Sequence, residues 1–312
     1  MKKNKKTFLV TGGTGFIGSN ICKLLVKKNY NVKVFDNNFR GNVSRIKKIK
    51  NKLKFIKGDI RDQKLLNKSL KNTDAVIHLA YVNGTKHFYN KPVLILDIAI
   101  KGIINVIDAC IKNKVKELYL ASSSEVYQTP IKVPTDESES LKIPDIFNPR
   151  YSYGGGKILT ELMGVHYGKK YFKKLIIFRP HNVYGKDMGN EHVVPEFINR
   201  FKSLKGKRFK IQGSGNETRS FIYIEDFLHA FELILMKGKH LNIYNIGTSE
   251  KIKIKDLAFK LAKIFKKKVL LKRTALAKGG TKIRLPNIQK IKSLGFKKKI
   301  NLDKGLRKTL ES

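Results

Sequence analysis

Tyr153 and Lys157 stand four residues apart in the run Tyr-Gly-Gly-Gly-Lys, at the start of a helical pattern. Residues at i and i+4 share one helix face. A lysine ammonium on that face, with an oxidised nicotinamide beside it, favours the phenolate and draws the tyrosine pKa toward neutrality. Tyr153 then becomes a usable general base for a sugar or alcohol hydroxyl. Ser123 lies in the loop after an apolar run, where its hydroxyl can orient the same substrate oxygen. A Tyr-x-x-x-Lys pair by itself is more often a surface pair. Three consecutive glycines, however, cost a helix about 1 kcal/mol each against alanine, so something must approach this helix closely.

A second set of residues can bind anions through the backbone. The apolar run Phe8-Leu9-Val10 leads into Gly12, Gly15 and Gly18, and an amphipathic stretch from Phe16 to Lys28 follows at once. Strand, tight turn and helix N-terminus in that order seat a pyrophosphate on bare N–H groups at the positive end of the helix dipole. Gly12 allows the turn, Gly15 the close approach of phosphates, and Gly18 the packing of helix on strand. With Phe16 and Ile17 they form the expected cofactor cradle. About 20 residues on, Val32 to Phe35 ends in Asp36, whose carboxylate can accept hydrogen bonds from an adenosine ribose. That charge repels a ribose 2′-phosphate, so the expected cofactor is NAD rather than NADP, with Arg40 the nearby cation that would blunt the preference.

The elements that must position these residues follow a repeating rhythm. Apolar runs recur at Leu53–Lys57, Ala75–Leu79, Glu117–Ala121 and Leu175–Phe178, and helix-like stretches at Gln63–Lys71, Pro92–Lys112 and Tyr151–Tyr171 lie between them. This predicts an α/β fold: a doubly wound, parallel, Rossmann-type sheet covered on both faces, with ligands at the carboxyl ends of its strands. From about residue 181 the rhythm loosens. The expected organisation is a nucleotide-binding domain over 1–180 and a smaller, partly interleaved α/β substrate lobe over 181–312.

Composition narrows the function classes. The formal net charge is +42, and 55 of the 66 basic residues are lysines scattered at polar positions of every segment. The dense basic runs are short and do not interleave with aromatics, so specific nucleic-acid binding is not the expectation, although the charge should attract anionic small molecules. Cys22 and Cys110 fall in apolar helical patterns and read as reduced thiols of a cytoplasmic protein. No Cys/His spacing predicts a metal. The basic run Met1–Lys6 precedes an apolar stretch only a strand long, so no signal peptide is expected there. Pro92–Ile111 is the most apolar long segment, but Asp97, Lys101, Asn105 and Asp108 interrupt it, so no membrane span is expected.

Taken together, the chain resembles an extended short-chain dehydrogenase/reductase of the nucleotide-sugar epimerase/dehydratase group. The residues that carry the likeness run through nearly the whole length: Thr11 to Gly18, Asp36, Gly58 to Asp62, His78-Leu79-Ala80, Ser122 to Tyr127, Tyr153 to Lys157, Arg179 to Gly185, Gly215 to Phe221, Tyr223 to Asp226, Tyr244 to Gly247 and Arg284 to Asn287. The resemblance implies that Asp59 and Ile60 flank the adenine, that Leu79 and Ala80 line the cofactor, and that Lys157 also holds the nicotinamide ribose. It implies that Asn182 touches the phosphates of a nucleotide-diphosphate sugar and that Arg219 and Arg284 clamp them. His192 lies in a region that family members use for substrate, and reads as a second acid/base, a phosphate contact or a plain surface histidine. It further implies a homodimer built on Pro92–Lys112 and Tyr151–Tyr171.

Departures from the family pattern bear on the reaction. Ala99 stands where an asparagine is frequent, and Gln128 where a glycine is usual. Family 4,6-dehydratases usually carry an Asp-Glu pair where this chain has Ser124-Glu125. Glu125 remains able to abstract a proton beside a C4 ketone, to serve a decarboxylase, or to hold its own loop. Epimerisation at C4 through a 4-keto sugar asks for the fewest extra groups and is the leading expectation. A 4,6-dehydratase, a UDP-glucuronate decarboxylase, and a non-catalytic nucleotide- or RNA-binding member are the alternatives.

Overall fold

The computed structural model describes residues 5–311; Ser312 and the first four residues of the basic N-terminal run lie outside the described residues. Strand β1 (Thr7–Thr11) feeds helix α1 (Phe16–Lys27), and β2 (Asn31–Asp36), β3 (Leu53–Lys57), α2 (Gln63–Ser69) and β4 (Ala75–His78) follow. A short helix α3 (Thr85–Asn90), a long α4 (Pro92–Lys112), β5 (Glu117–Ala121), α5 (Tyr151–Tyr171) and β6 (Lys174–Pro180) complete the first part. The predicted runs therefore fold as read. Helix α3 and the 3₁₀ segment Val43–Lys52 were not anticipated.

One seven-stranded sheet has the order Asn242–Ile246, β6, β5, β4, β1, β2, β3, with all pairs parallel. Successive residues of its strands enter two different cores. Phe8 and Val10 face one with α1 and α7 (Ile224–Lys237), while Leu9 faces the other with α4 and α5. Alternation of side chains along a strand, with a helical layer on each face, explains why these strands read as unbroken apolar runs. The strand order reverses between β4 and β1, and the carboxyl ends there open the crevice that binds ligands in such sheets.

Beyond Pro180 the chain builds a second layer over those carboxyl ends and also returns to the main sheet through Asn242–Ile246. Ile222–Tyr223 pairs with Val183–Tyr184, and Arg208–Gln212 with Leu270–Thr274. Ile283–Arg284 pairs with Thr218–Arg219, so Arg284 and Arg219 become register partners. Helix α6 (Val193–Lys202) begins beside the crevice. Among the described residues no helix is long and apolar enough to cross a membrane.

Candidate active site

The glycine turn is built as its spacing demands. Gly12 sits at φ +71°, donates its N–H to the Phe35 carbonyl at 2.9 Å, and a Cβ there would stand 2.7 Å from the Ala80 nitrogen. A Cβ on Gly18 would meet the Gly12 carbonyl oxygen at 2.1 Å, so only glycine lets α1 dock on the turn. Gly15 meets no protein atom nearer than that oxygen, at 3.2 Å, and opens onto two adjoining cavities.

The smaller cavity, about 110 Å³, is lined by Asp36, Asp59, Ile60 and Ala80. The buried Asp36 carboxylate accepts the N–H of Thr14 at 2.9 Å and of Asn38 at 2.8 Å, one on each oxygen, which leaves lone pairs for a ligand. The Asp59 carboxylate is gripped by Arg61 Nη2 at 2.8 Å and by Asn37 Nδ2 at 2.9 Å. The Arg61 hydrogen bonds hold the Asp59 carboxyl down at about 2. Leu79 lines both cavities, as does Arg40, which is paired to Glu191 at 2.6 Å.

The larger cavity, about 290 Å³, has Phe16, Ile17, Gly18, Ser123, Tyr153 and Lys157 in its lining. Lys157 is 2% exposed; its Nζ donates to the Ala121 carbonyl at 2.7 Å and lies 3.9 Å from the centroid of the Tyr81 ring. Burial pulls Lys157 down to about 7, against the pull of the Glu161 carboxylate. Burial pushes the Tyr153 phenol up to about 12, opposed by its hydrogen bond with Ser123 and reinforced by Glu125. Lys157 alone does not draw that phenol toward neutrality, because the ammonium sits 5.9 Å from the Tyr153 ring centroid and is turned to Ala121.

The glycine run in α5 is explained by what lies against it. A Cβ at Gly156 would stand 2.1 Å from Tyr81 Oη and 2.6 Å from Ala99 Cβ. At Gly154 it would meet Gln128 Nε2 at 2.6 Å. Ala99 and Gln128, the two departures noted in the sequence, are thus fitted to this run. Tyr81 falls in a post-strand segment where the sequence places chemistry, but its contact with Lys157 was not foreseen, nor was Phe88, which stacks on the Tyr153 ring at 4.9 Å. A bare aromatic after a strand carries no local sign of its target.

Glu125 opens onto the same cavity, and each of its oxygens faces a guanidinium. Arg284 Nη1 pairs with Oε1 at 2.7 Å and Arg150 Nη2 with Oε2 at 3.6 Å. Burial alone would raise the Glu125 carboxyl; Arg284 and Arg150 outweigh it and hold the group at about 2. Arg219 donates to the Thr218 and Thr281 carbonyls at 2.9 and 2.8 Å and lines neither cavity. Burial and the neighbouring Arg284 lower it to about 9. Three guanidiniums against one carboxylate leave an excess of positive charge, and the buried Nε atoms of Arg150 and Arg284 have no partner among the described residues. That excess suits an anion. Arg150 was missed; its role depends on Glu125, 25 positions away in sequence.

Asn182 and His192 line the same cavity. Asn182, at φ +40°, donates its amide to the Ser220 carbonyl at 2.8 Å. His192 precedes α6, and burial, with Arg40 adding to it, lowers the imidazole to about 4, so it is neutral near pH 7. No group of His, Cys, Asp and Glu among the described residues could hold a metal, and Cys22 and Cys110 are buried and free.

The model of the NAD dependent epimerase/dehydratase family matches residues 8–247. A dTDP-D-glucose 4,6-dehydratase of Dictyostelium discoideum is 33% identical over 82% of this chain, which spans 61% of that relative's length. A putative UDP-glucose 4-epimerase of Methanocaldococcus jannaschii is 33% identical, covering 97% of this chain and 96% of its own. Among longer plant relatives the chain spans about half the length, 47% in one case. The crystal structure of UDP-glucose 4-epimerase from Thermotoga maritima with UDP-glucose superposes with a TM-score of 0.88 at 29% identity, covering 98% of this chain and 97% of that one.

Proposed function

We propose that this chain, which belongs to the NAD dependent epimerase/dehydratase family, inverts C4 of a nucleotide-diphosphate sugar through a 4-keto intermediate. It is an NAD-dependent enzyme of the nucleotide-sugar group. The residues present fit that cofactor: the adjoining cavities share Gly12 and Gly15, and Asp36 stands at the far end with free lone pairs. When bound, NAD accepts and returns the sugar hydride and adds a positive charge that favours the Tyr153 phenolate. Residues 1–180 then supply the NAD-binding part and 181–312 the substrate lobe.

In this reading Gly12 to Gly18 take the pyrophosphate, Asp36 the adenosine ribose, Asp59, Ile60 and Ala80 the adenine side, and Leu79 the nicotinamide side. Ser123 orients the C4 hydroxyl, Tyr153 takes its proton, and Lys157 holds the nicotinamide ribose and supports the phenolate. Asn182 and Arg284 bind the diphosphate, which meets the unspent positive charge around Glu125; Arg219, the third residue expected to clamp it, adds to that charge from behind the cavity lining. His192, neutral near pH 7, contributes a hydrogen bond to substrate. The chain works in the cytoplasm as a homodimer through α4 and α5, where Val93, Leu96, Ile100, Ile104 and Leu162 are exposed.

The observation that carries the epimerase reading is the double pairing of Glu125. A carboxylate held at about 2 by Arg284 and Arg150 is a poor base for a C–H proton, and Ser124, not an acid, precedes it. What remains is Ser123, Tyr153 and Lys157, the set that C4 inversion needs. One observation favours a second reading: Glu125 opens onto the same cavity as Tyr153, so a diphosphate that captures Arg284 would free it for a dehydratase or decarboxylase step. A panel of nucleotide sugars, followed for C4 epimers, keto sugars and released CO2, separates them. Tyr153→Phe should lower turnover at least about 100-fold while NAD still binds. Glu125→Gln should spare a C4 epimerase. Deuterium uptake into C3 or C5 that vanishes in Glu125→Gln would overturn the epimerase reading.

A further inference from the structure

Lys157 is surrounded by few groups that could sustain its charge. From its own helix come Tyr153 and, one turn on, Glu161; from β4 comes His78; from the following loop comes Tyr81. Glu161 pulls Lys157 up, but its charge is shared. Its oxygens take Arg179 Nε at 2.8 Å and Nη2 at 2.6 Å, and the Ser122 hydroxyl as well. His78 is buried, lowered to about 3 by that burial and then by Lys157, and is bonded to Thr11, so it contributes no negative charge. Without NAD, burial keeps the Tyr153 phenol neutral. The Ala121 carbonyl accepts one of the three ammonium protons.

We propose that Tyr81 is a positioning residue for the reaction, the face of its ring holding the Lys157 ammonium beside Tyr153. The ammonium stands 3.9 Å over the Tyr81 centroid, well within cation–π range, and the same ring meets Tyr153 edge-on at 5.1 Å. The hydroxyl is not the working part. It is buried, finds no hydrogen-bond partner among the described residues, and rests where a side chain at Gly156 would otherwise be. The glycine at 156 is thus the space that seats this ring, and the ring fixes the lysine. The inference rests on the assignment of Tyr153 and Lys157 as the reacting pair.

The test reads Lys157 directly. Protein labelled with ¹³C at lysine Cε and saturated with NAD is titrated by NMR, and the Lys157 signal is assigned by its loss in Lys157→Met. Tyr81→Phe, which keeps the ring, should leave the midpoint within about 0.3 pH units of the parent. Tyr81→Leu should lower it by about 0.5–1.5 units, the size of one buried cation–π contact. If Tyr81→Leu does not fold, mono- and difluorinated phenylalanines at 81 keep the shape and withdraw ring electrons. The midpoint should then fall stepwise with fluorination. A midpoint that is unmoved or raised in Tyr81→Leu or along the fluorinated series, or one that falls equally in Tyr81→Phe, overturns the inference. Tyr153→Phe judges the underlying assignment separately. Full turnover in that variant rejects the catalytic pair, whereas lost turnover with an unmoved Lys157 rejects Tyr81 alone.

Discussion

The three glycines of α5 should respond to alanine in three different ways. Each substitution gains about 1 kcal/mol of helix propensity, because glycine gives up more backbone freedom on folding. What opposes that gain differs by position. At Gly155 the new Cβ meets only the Ile143 Cδ1 at 3.2 Å, the tip of a side chain that is 47% exposed and can step aside. Gly155→Ala should therefore stabilise by about 0.5–1 kcal/mol and raise the melting temperature by about 1–3 °C. At Gly156 the obstacles are Tyr81 Oη at 2.1 Å and Ala99 Cβ at 2.6 Å. The first belongs to a ring wedged between Lys157 and Tyr153, and the second is fixed to the backbone of α4, so neither yields cheaply. Overpacking of this kind costs about 1–3 kcal/mol, and the upper end applies, which leaves Gly156→Ala about 1–2 kcal/mol less stable. At Gly154 the contact is the flexible end of Gln128, with the Glu125 carbonyl at 3.2 Å behind it. Stability should change little there, but the Glu125 loop shifts. Urea midpoints at constant m-value report the energies. Turnover should fall in the 154 and 156 variants and hold in the 155 variant. Gly156→Ala within about 0.5 kcal/mol of the parent, or Gly155→Ala losing more than about 1 kcal/mol, would refute the packing argument.

Three further outcomes are expected. Calorimetry should show NAD binding more tightly than NADP, because a 2′-phosphate would face the Asp36 carboxylate; Arg40 is held by Glu191 and is a weak rescuer. Sedimentation at micromolar protein should give a dimer, and Ile100→Lys, on the exposed stripe of α4, should yield monomers without changing the far-UV spectrum. Glu125 gives the acid arm of stability its shape. Its folded pKa of about 2 lies below the ordinary carboxylate value, so its contribution is complete above about pH 4.5 and is lost as the pH falls toward 2. In that window Glu125→Gln should flatten the decline in the urea midpoint, and a slope equal to the parent's would contradict the ion pairs with Arg284 and Arg150.

The parts that could be read from sequence are those whose reason is local. Gly12, Gly15 and Gly18 serve one turn and one helix start, Asp36 closes the next strand, and Tyr153 with Lys157 share a helix face. The seven-stranded sheet was legible for a related reason: alternate residues of each strand enter two cores, so both faces had to be apolar. What escaped depends on meetings across the chain. Arg284 reaches Glu125 over 159 positions because Ile283–Arg284 pairs with Thr218–Arg219 above the crevice. No periodicity records that pairing, and it turns Glu125 from a candidate base into a carboxylate held between guanidiniums. The same holds for Tyr81, whose ring meets Lys157 only because the loop after β4 packs on the N-terminal part of α5. The glycine run did leave a mark, since a helix tolerates three glycines only under pressure from a neighbour. Sequence gave the pressure and withheld the neighbour. Ala99, Gln128 and Tyr81 supply it together, so the two departures from the family pattern and the glycine run are parts of one packing arrangement around the ring over which Lys157 sits.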